Sequence, residues 1–236
     1  MKPKERLDKL LAGTGRWSRK EVKELVRTGR VRVNGVPAGK AEDKHDPDSV
    51  FTVDGEQVFC GRPVYIMMHK PGGVLSATED ARQKTVIDLL PEHLRKVGLF
   101  PVGRLDKDTE GLLLLTNDGP LGHELLAPKK HVDKTYFVRV DGELNDADVT
   151  AFFEGMTLED GYTCLSAGLE LLARSDEAIV TLREGKYHQI KRMLAARGKP
   201  VVYLKRLTMG PLALDDCLEL GQWRELTERE RAMLGR

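Results

Sequence analysis

The stretch Gly103-Arg104-Leu105-Asp106-Lys107-Asp108-Thr109-Glu110-Gly111 leads into four leucines at 112–115 and then into the turn Thr116-Asn117-Asp118-Gly119. Four consecutive aliphatic residues between a glycine and an Asn-Asp-Gly turn are typical of a short strand that is buried on both faces. The charged loop before the leucines is therefore held at the end of a rigid strand. A carboxylate in that position can be given a defined direction. The stretch predicts both a central strand and a functional aspartate.

The spacing of the acidic residues also partly matches a calcium loop of the EF-hand type. The first, third, fifth and sixth positions of such a loop would be Asp106, Asp108, Glu110 and Gly111. The twelfth position is Asn117, which cannot supply a bidentate carboxylate, and a strand follows where a helix is required. A solvated turn is the simpler alternative, but Leu105 between two charged residues indicates a loop that folds back onto the protein.

The 236 residues suffice for one large domain, or for a small domain followed by a medium one. The three cysteines, Cys60, Cys164 and Cys217, are far apart and form no Cys-x-x-Cys pair. They indicate neither a disulfide framework nor a zinc site, and they fit a reducing compartment. No signal peptide or membrane-spanning stretch is visible, so we expect a soluble, cytoplasmic protein.

The distribution of charge is more informative than the net charge of +1. Residues 1–45 contain 13 Lys and Arg against 6 Asp and Glu, a net charge of +7, whereas the remainder carries −6. Within that acidic remainder, residues 183–206 contain 8 basic residues and a single acid, Glu184. Two basic segments on a nearly neutral protein suggest two surfaces that contact phosphates, with ordinary solvated charge as the alternative for each.

The N-terminal segment has the pattern of a compact helix-and-hairpin module. Leu7, Leu10 and Leu11 lie at helical spacing, and Ser18 with Glu21 forms a capping box for a second helix. Two hairpins follow, with predicted turns at Asn34-Gly35 and Asp54-Gly55. The elements could bind protein, but the basic helix favours RNA.

A change in composition after residues 60–63, a predicted linker, suggests a second domain. We therefore predict domains at 1–60 and 61–236. The apolar run at 64–68 predicts a buried strand that leads into His69-Lys70-Pro71-Gly72-Gly73, whose Pro and Gly residues shape a turn. Further predicted elements are a short helix at 85–90, a strand at 99–102, a helix at 121–126 ended by Pro128, a strand at 135–140, a helix at 146–153, irregular strands at 155–172 and a strand at 179–182.

The last basic segment is predicted to carry a helix that begins near Tyr187. Ile190, Met193 and Leu194 lie at i, i+3 and i+4 and form its buried stripe. Lys191 and Arg192 then project from its first turns. His188 is interpreted as a structural hydrogen-bond donor, since no second His or Cys at ligand spacing supports a metal site.

Four motifs occur in the order found in a known family. They are Lys-Pro-x-Gly at 70–73, Gly-Arg-Leu-Asp-x-x-Thr-x-Gly-Leu at 103–112, Lys-Thr-Tyr at 134–136 and Gly-x-x-His-Gln-x-basic at 185–191. Together they resemble the bacterial ribosomal-RNA pseudouridine synthases. The N-terminal segment resembles the S4 RNA-binding domain. The sequence Tyr-His-Gln-Ile-Lys-Arg-Met at 187–193 is similar to the family members that act on small-subunit (16S) rRNA, whereas large-subunit relatives usually replace Tyr-His-Gln.

The resemblance implies a mixed α/β (α+β) fold: a small S4-like domain, then a synthase domain with a largely antiparallel sheet and a central cleft. It assigns the catalytic roles to Asp106 as nucleophile, Tyr136 stacked on the target base, and Lys191 paired with the aspartate, where many synthases have arginine. It also implies RNA contacts by Arg104, Arg192 and the basic helix face, which consists of Arg16, Arg19, Lys20, Lys23, Arg27 and Arg30.

The reaction that the resemblance implies needs no cofactor and no metal, because an ionised carboxylate can attack carbon or stabilise a positively charged sugar. The expected partner is ribosomal RNA or a small-subunit assembly intermediate, bound by a monomer. A large-subunit 23S rRNA synthase is an alternative within the family. A non-catalytic RNA-binding assembly factor and a metal-dependent phosphotransferase that uses Asp106 and Asp108 are alternatives outside it.

Overall fold

A computed structural model describes residues 4–14, 16–60, 63–127 and 132–236. Two predictions lie partly outside these residues: the linker at 60–63, of which only Cys60 and Pro63 are described, and the end of a helix at Pro128. Within the described ranges, no helix is long and apolar enough to cross a membrane.

The first group of elements forms a small mixed unit. Its elements are β1 (Glu5–Arg6), α1 (Leu7–Ala12), α2 (Arg19–Arg27), β2 (Val31–Val33), β3 (Val36–Pro37), β4 (Lys44–His45), β5 (Phe51–Val53) and β6 (Glu56–Val58). Both helices pack on the sheet β3-β2-β5-β6 through a core that includes Leu7, Leu11 and Phe51. The predicted capping box is confirmed: the Glu21 N–H donates to Ser18 Oγ and the Ser18 N–H donates to Glu21 Oε2.

Both predicted hairpin turns are confirmed. Asn34 and Gly35 connect β2 to β3 with φ values of 51° and 81°, and Asp54 and Gly55 connect β5 to β6 with values of 52° and 86°. Positive φ at both central residues defines the type I′ turn, which matches the twist of the flanking strands.

The second group of elements is larger. It consists of β7 (Tyr65–Lys70), a 3-10 helix (Ile87–Leu89), α3 (Glu92–Arg95), β8 (Phe100–Pro101), β9 (Glu110–Thr116), α4 (Gly119–Leu126), β10 (Lys134–Val140), α5 (Asp146–Glu154), β11 (Gly168–Leu171), β12 (Glu177–Leu182), α6 (Gln189–Ala196), β13 (Val201–Met209), β14 (Leu212–Ala213), β15 (Trp223–Glu225) and α7 (Glu228–Met233). The strand predictions at 64–68, 135–140 and 179–182 are confirmed within two residues, and the helix at 85–90 is confirmed only as the 3-10 helix.

A single mixed sheet organises this second group. Its order is β11-β12-β10-β13-β9-β7-β15, with β8 added to β9 and β14 added to β13. The pair β9 and β13 is parallel, and the other described pairs are antiparallel. The expectation of a largely antiparallel sheet is therefore confirmed.

The four leucines of β9 lie at the centre of the sheet and are completely buried. Leu112 and Leu114 pack with α4 in one apolar core, whereas Leu113 and Leu115 pack on the opposite face with the 3-10 helix and α3. The prediction of a strand buried on both faces is confirmed. The loop before β9 is consequently attached to the most rigid part of the sheet.

A third core joins α5 and α6 to β10, β12 and β13. Ile190, Met193 and Leu194 form the buried stripe of α6, as predicted. The helix begins at Gln189, two residues later than expected, because His188 adopts the left-handed conformation with φ 49° and ψ 33°.

The strand β13 has no counterpart in the sequence predictions. Its charged residues Lys205 and Arg206 were included in the basic segment that we expected to contact phosphates. Arg206 is only 2% exposed, so that interpretation is wrong for this residue. Its guanidinium donates from Nε to the backbone oxygen of Leu112 at 2.7 Å and connects β13 to β9.

Candidate active site

The backbone on both sides of Asp106 is fixed by hydrogen bonds. Ser76 Oγ donates to the Leu105 oxygen at 2.9 Å and accepts from the Leu105 N–H at 3.1 Å. On the other side, the Gly73 N–H donates to the Lys107 oxygen at 2.8 Å, and the Thr109 N–H donates to the Asp106 oxygen at 3.1 Å. The Asp106 side chain is therefore presented by a loop that is ordered before any substrate binds.

Lys70 holds this loop through hydrogen bonds from its side chain. Its side chain is fully buried, and its Nζ donates to the backbone oxygens of Pro71, Lys107 and Thr109 at 3.0, 3.2 and 2.8 Å. Burial lowers the pKa of Lys70 to about 8, although the carboxylates of the loop act in the opposite direction. The sequence predicts a turn shaped by the Pro and Gly residues of this motif, but it does not predict the hydrogen bonds of Lys70.

Gly111 is required by the close approach of β9 and β13. Its φ is +107°, and a Cβ there would lie 2.2 Å from the backbone oxygen of Arg206 and 2.5 Å from its nitrogen. Beside it, the Tyr203 hydroxyl donates to Glu110 Oε2 at 2.7 Å. The end of the motif Thr-x-Gly-Leu thus connects the loop to the neighbouring parallel strand.

Lys191 lies between two carboxylates of the loop. Its Nζ is 3.2 Å from Asp106 Oδ2 and 2.5 Å from Asp108 Oδ1. Burial acts to lower the pKa of Lys191, but the hydrogen bonds to Asp108 and Asp106 raise it above its ordinary value. The hydrogen bond from Lys191 holds the pKa of Asp108 below its usual range. The ammonium group is therefore charged at neutral pH and is shared.

His188 approaches the same aspartate from the start of α6. Its Nε2 lies 3.4 Å from Asp106 Oδ1, and its ring stacks on Tyr187. This distance allows an ion pair only when the imidazole is protonated. From the sequence, His188 is predicted to be a structural hydrogen-bond donor, and its position beside Asp106 is not predicted.

These side chains surround an open cleft. Arg104, Asp106 and Lys191 line it together with Tyr136, which projects from β10 and packs on the core beneath α6. Leu182 and Leu204 add apolar surface. The structure thus brings together the three predicted catalytic residues and Arg104. An open cleft with an apolar wall and a few polar groups is the kind of site that holds a small polar ring system.

Arg192 faces away from this group. Its Nη2 pairs with Asp160 Oδ2 at 2.6 Å, and the residue does not line the cleft. The difference from Lys191 follows from the helix geometry, because neighbouring residues on a helix project about 100° apart.

The six basic residues predicted to contact RNA in the N-terminal unit are all exposed on or around α2. Four of them form ion pairs: Arg16 with Glu56, Lys23 with Glu42, Arg27 with Glu24 and Arg30 with Asp54. Arg19 and Lys20 lie in the first turn of the helix. Water and salt screen exposed ion pairs, so phosphate groups can replace the carboxylates.

The described residues contain no group of three His, Cys, Asp or Glu side chains that could hold a metal ion. Asp106 and Asp108 instead share the Lys191 ammonium group, and β9 follows them where a calcium loop would need a helix.

Comparison with known proteins identifies both parts of the chain. The model of the family described as RNA pseudouridylate synthase matches residues 64–196, and the S4 domain model matches residues 5–50. Similar relatives include the uncharacterized RNA pseudouridine synthase YtzG of Bacillus subtilis, which is 51% identical over 97% of this chain and 98% of its own length. The ribosomal small subunit pseudouridine synthase A of Vibrio cholerae is 39% identical over 97% of this chain and 99% of its own length.

A relative that is named for the large ribosomal subunit is nearly as similar. The ribosomal large subunit pseudouridine synthase B of Bacillus subtilis is 37% identical over 96% of this chain and 93% of its own length. Among solved structures, the crystal structure of a pseudouridylate synthase matches with a TM-score of 0.72 and 33% identity, covering 98% of this chain and 99% of that chain.

Proposed function

Because the chain belongs to the RNA pseudouridylate synthase family, we propose that it converts a specific uridine of ribosomal RNA to pseudouridine and that its substrate is small-subunit (16S) rRNA. The observation that carries the proposal is the 3.2 Å contact between Lys191 Nζ and Asp106 Oδ2 inside a cleft that Tyr136 also lines. The small-subunit assignment rests on the sequence at 187–193 and on the Vibrio cholerae relative.

The reaction breaks the bond between the ribose and N1 of uracil, turns the base, and forms a new bond from the ribose to C5. Substrate and product are isomers: C5 loses its hydrogen and N1 gains one, so no redox or group-transfer reagent is consumed. Asp106 is assigned as the nucleophile, either at the sugar carbon or at the base ring. Its position at the end of β9 gives the carboxylate the fixed direction that either attack requires.

Lys191 is assigned to hold Asp106 in the ionised form and in position. A charge-assisted contact at this distance orients the carboxylate. Asp108, which the sequence analysis considered only as a metal ligand, shares the ammonium group and keeps Lys191 charged when Asp106 forms a covalent bond.

Tyr136 is assigned to stack on the uracil after the nucleotide leaves its helix. Extrusion of a base costs a few kcal/mol, which contacts in the cleft must offset. A tyrosine provides a flat apolar face and one polar tip for a pyrimidine. Arg104, at the opening of the same cleft, is assigned to the backbone phosphate of the extruded nucleotide.

We assign RNA affinity to residues 1–60 and the chemistry to residues 61–236. The exposed basic helix α2 supports the first assignment, since phosphate contacts by Lys and Arg supply sequence-independent affinity. Since one chain supplies all the groups around the described cleft, we propose that the protein acts as a monomer. A cytoplasmic location agrees with the cysteine pattern.

Two other functions fit the structure less well. A phosphotransferase that uses Asp106 and Asp108 would need a metal cation between them, and that position is occupied by Lys191 Nζ. A non-catalytic RNA-binding protein would not need the hydrogen bonds that order the loop around Asp106.

The test is to incubate the purified protein with protein-depleted 16S rRNA, or with a small-subunit assembly intermediate, and to map pseudouridine by carbodiimide modification and primer extension. We expect one new stop with the wild-type protein and none with Asp106→Asn. A stop only on 23S rRNA would replace the small-subunit assignment. No stop on either RNA, with RNA binding retained, would contradict the proposed function.

A further inference from the structure

Tyr187 is an exposed aromatic residue at the edge of the cleft. Its relative exposure is 76%, and it does not belong to the apolar cores. Its ring stacks on His188, with centroids 3.9 Å apart and an angle of 16° between the planes. His188 in turn lines the cleft, with Nε2 3.4 Å from Asp106 Oδ1. Tyr187 therefore lies one stacked ring beyond the aspartate, on the outer side of the cleft.

The loop that carries Tyr187 is ordered by its own hydrogen bonds. Glu184 Oε2 accepts from the Leu165 N–H at 2.9 Å and from Gln189 Nε2 at 2.8 Å, and Glu184 Oε1 accepts from the Tyr162 hydroxyl. The Lys186 N–H donates to Gln189 Oε1 at 3.1 Å, and the Lys186 ammonium lies over the Tyr162 ring. The backbone before and after Tyr187 is thus held by hydrogen bonds in the absence of RNA.

The backbone at His188 supports the same conclusion. A φ of 49° is uncommon for a residue with a side chain, and the imidazole of His188 lies nearly parallel to the Tyr187 ring. Strained backbone of this kind persists where surrounding contacts hold it, and it is concentrated at functional sites.

We propose that the Tyr187–His188 stack is a platform for the base next to the target uridine, and that Tyr187 contributes to the selection of the substrate. The inference rests on the proposed function. When one base leaves a stack, its neighbour loses a stacking partner, and an exposed aromatic face can replace that partner. One face of Tyr187 is covered by His188, and its exposure leaves the opposite face accessible to a base.

The charges around the stack also favour RNA as the ligand. Arg104, Lys186 and Lys191 line the cleft beside it, and they can attract the phosphates that flank an extruded nucleotide.

The experiment uses the full chain and a short RNA that contains the uridine mapped in the pseudouridine assay. We compare Tyr187→Ala with Tyr187→Phe, which retains the aromatic face. Phe153→Ala is the matched control, because it removes an aromatic ring of similar exposure, 72%, from α5. Base–aromatic stacking predicts a loss of about 5- to 100-fold in kcat/KM for Tyr187→Ala, mainly through KM. We expect less than about threefold for the other two variants.

A second arm replaces each nucleotide next to the target uridine by an abasic residue. For the wild-type protein, an abasic residue at one of the two positions should lower kcat/KM by about the same factor as Tyr187→Ala does. For Tyr187→Ala, the same substitution should add little, because the two changes remove one interaction. If Tyr187 only supported the loop, the two changes would act independently, and their fold losses in kcat/KM would multiply. This arm also tests the wild-type protein, so it stays informative if Tyr187→Ala does not fold.

The outcomes separate the two proposals. If the wild type forms pseudouridine but Tyr187→Ala has the same kcat/KM as Phe153→Ala, the platform is overturned and the proposed function stands. The same holds if the losses in kcat/KM multiply in the abasic arm. The absence of pseudouridine with the wild type would overturn both.

Discussion

Lys191 Nζ lies 2.5 Å from Asp108 Oδ1, which is closer than its 3.2 Å distance to Asp106 Oδ2. The lysine side chain is only 22% exposed, whereas Asp108 is 75% exposed and Asp106 is 25% exposed. The shorter contact of Lys191 is therefore with the solvent-exposed Asp108. The longer contact is with Asp106, the proposed nucleophile, inside the cleft. Lys191 therefore keeps one carboxylate partner when Asp106 reacts with a substrate.

Replacing Lys191 by methionine should remove this control of the carboxylate. We expect kcat to fall by about 100-fold or more while RNA affinity changes little, because one preorganised charged group near the reacting atoms is lost. Single-turnover rates at saturating protein measure the effect. Lys191→Arg is the control: the positive charge remains, so we expect a loss below about tenfold. Equal losses in both variants would contradict the assigned role.

Gly111→Ala should destabilise the synthase part of the protein. The new Cβ would overlap the backbone of Arg206 and would require a φ of +107°. We expect the free energy of unfolding to fall by about 2 to 4 kcal/mol in denaturant titrations. Gly185→Ala is the control, since nothing lies within 4 Å of its Cβ position and its φ is not positive. If Gly111→Ala were as stable as Gly185→Ala, the close approach of β9 and β13 would be wrong.

The basic face of α2 should contribute affinity but not rate. Arg19→Ala combined with Lys20→Ala should weaken RNA binding and reduce the slope of log K against log salt concentration by about 1.4 to 1.8, as expected for two lost phosphate contacts. The rate at saturating RNA should not change. The double variant Lys40→Ala with Lys44→Ala removes the same charge from exposed positions outside this face. An identical salt slope in both double variants would argue against α2 as the phosphate-binding surface.

The sequence predicted those parts of the structure that depend on local patterns. The leucines of β9, the two Gly-containing hairpin turns and the buried stripe of α6 follow from periodicity and turn chemistry. Asp106, Tyr136 and Lys191 were found because they belong to a recognisable set of motifs, and the structure places them around one cleft.

What the sequence could not predict depends on contacts between distant segments. Arg206 looks like a surface cation in the sequence and is buried because β13 pairs with β9 across about a hundred residues. The local sequence does not reveal that Lys70 donates to the backbone oxygens of Lys107 and Thr109, which lie 37 and 39 residues away. The one observable signal for Lys70 was its place two residues after the apolar run at 64–68, where a charged residue that is carried into the core needs a partner.

The pH dependence of stability gives a test of the buried Lys70. Its pKa is about 8 in the folded protein and about 10.5 in the unfolded chain. Below pH 8 both states keep the proton, and above pH 10.5 both have lost it. Between these values the unfolded chain binds more protons, so the free energy of unfolding rises with pH. Relative to Lys70→Met, we expect the wild type to gain about 2 to 3 kcal/mol across this window.

The measurement is a set of urea titrations of both proteins from pH 7 to pH 10.5. All other groups titrate in both proteins, so the difference between the two curves isolates the lysine. Lys40→Met, which replaces an exposed lysine, should run parallel to the wild type over the whole range. A Lys70→Met curve that also runs parallel would show that Lys70 keeps its proton in the folded protein. Its three carbonyl contacts would then outweigh burial.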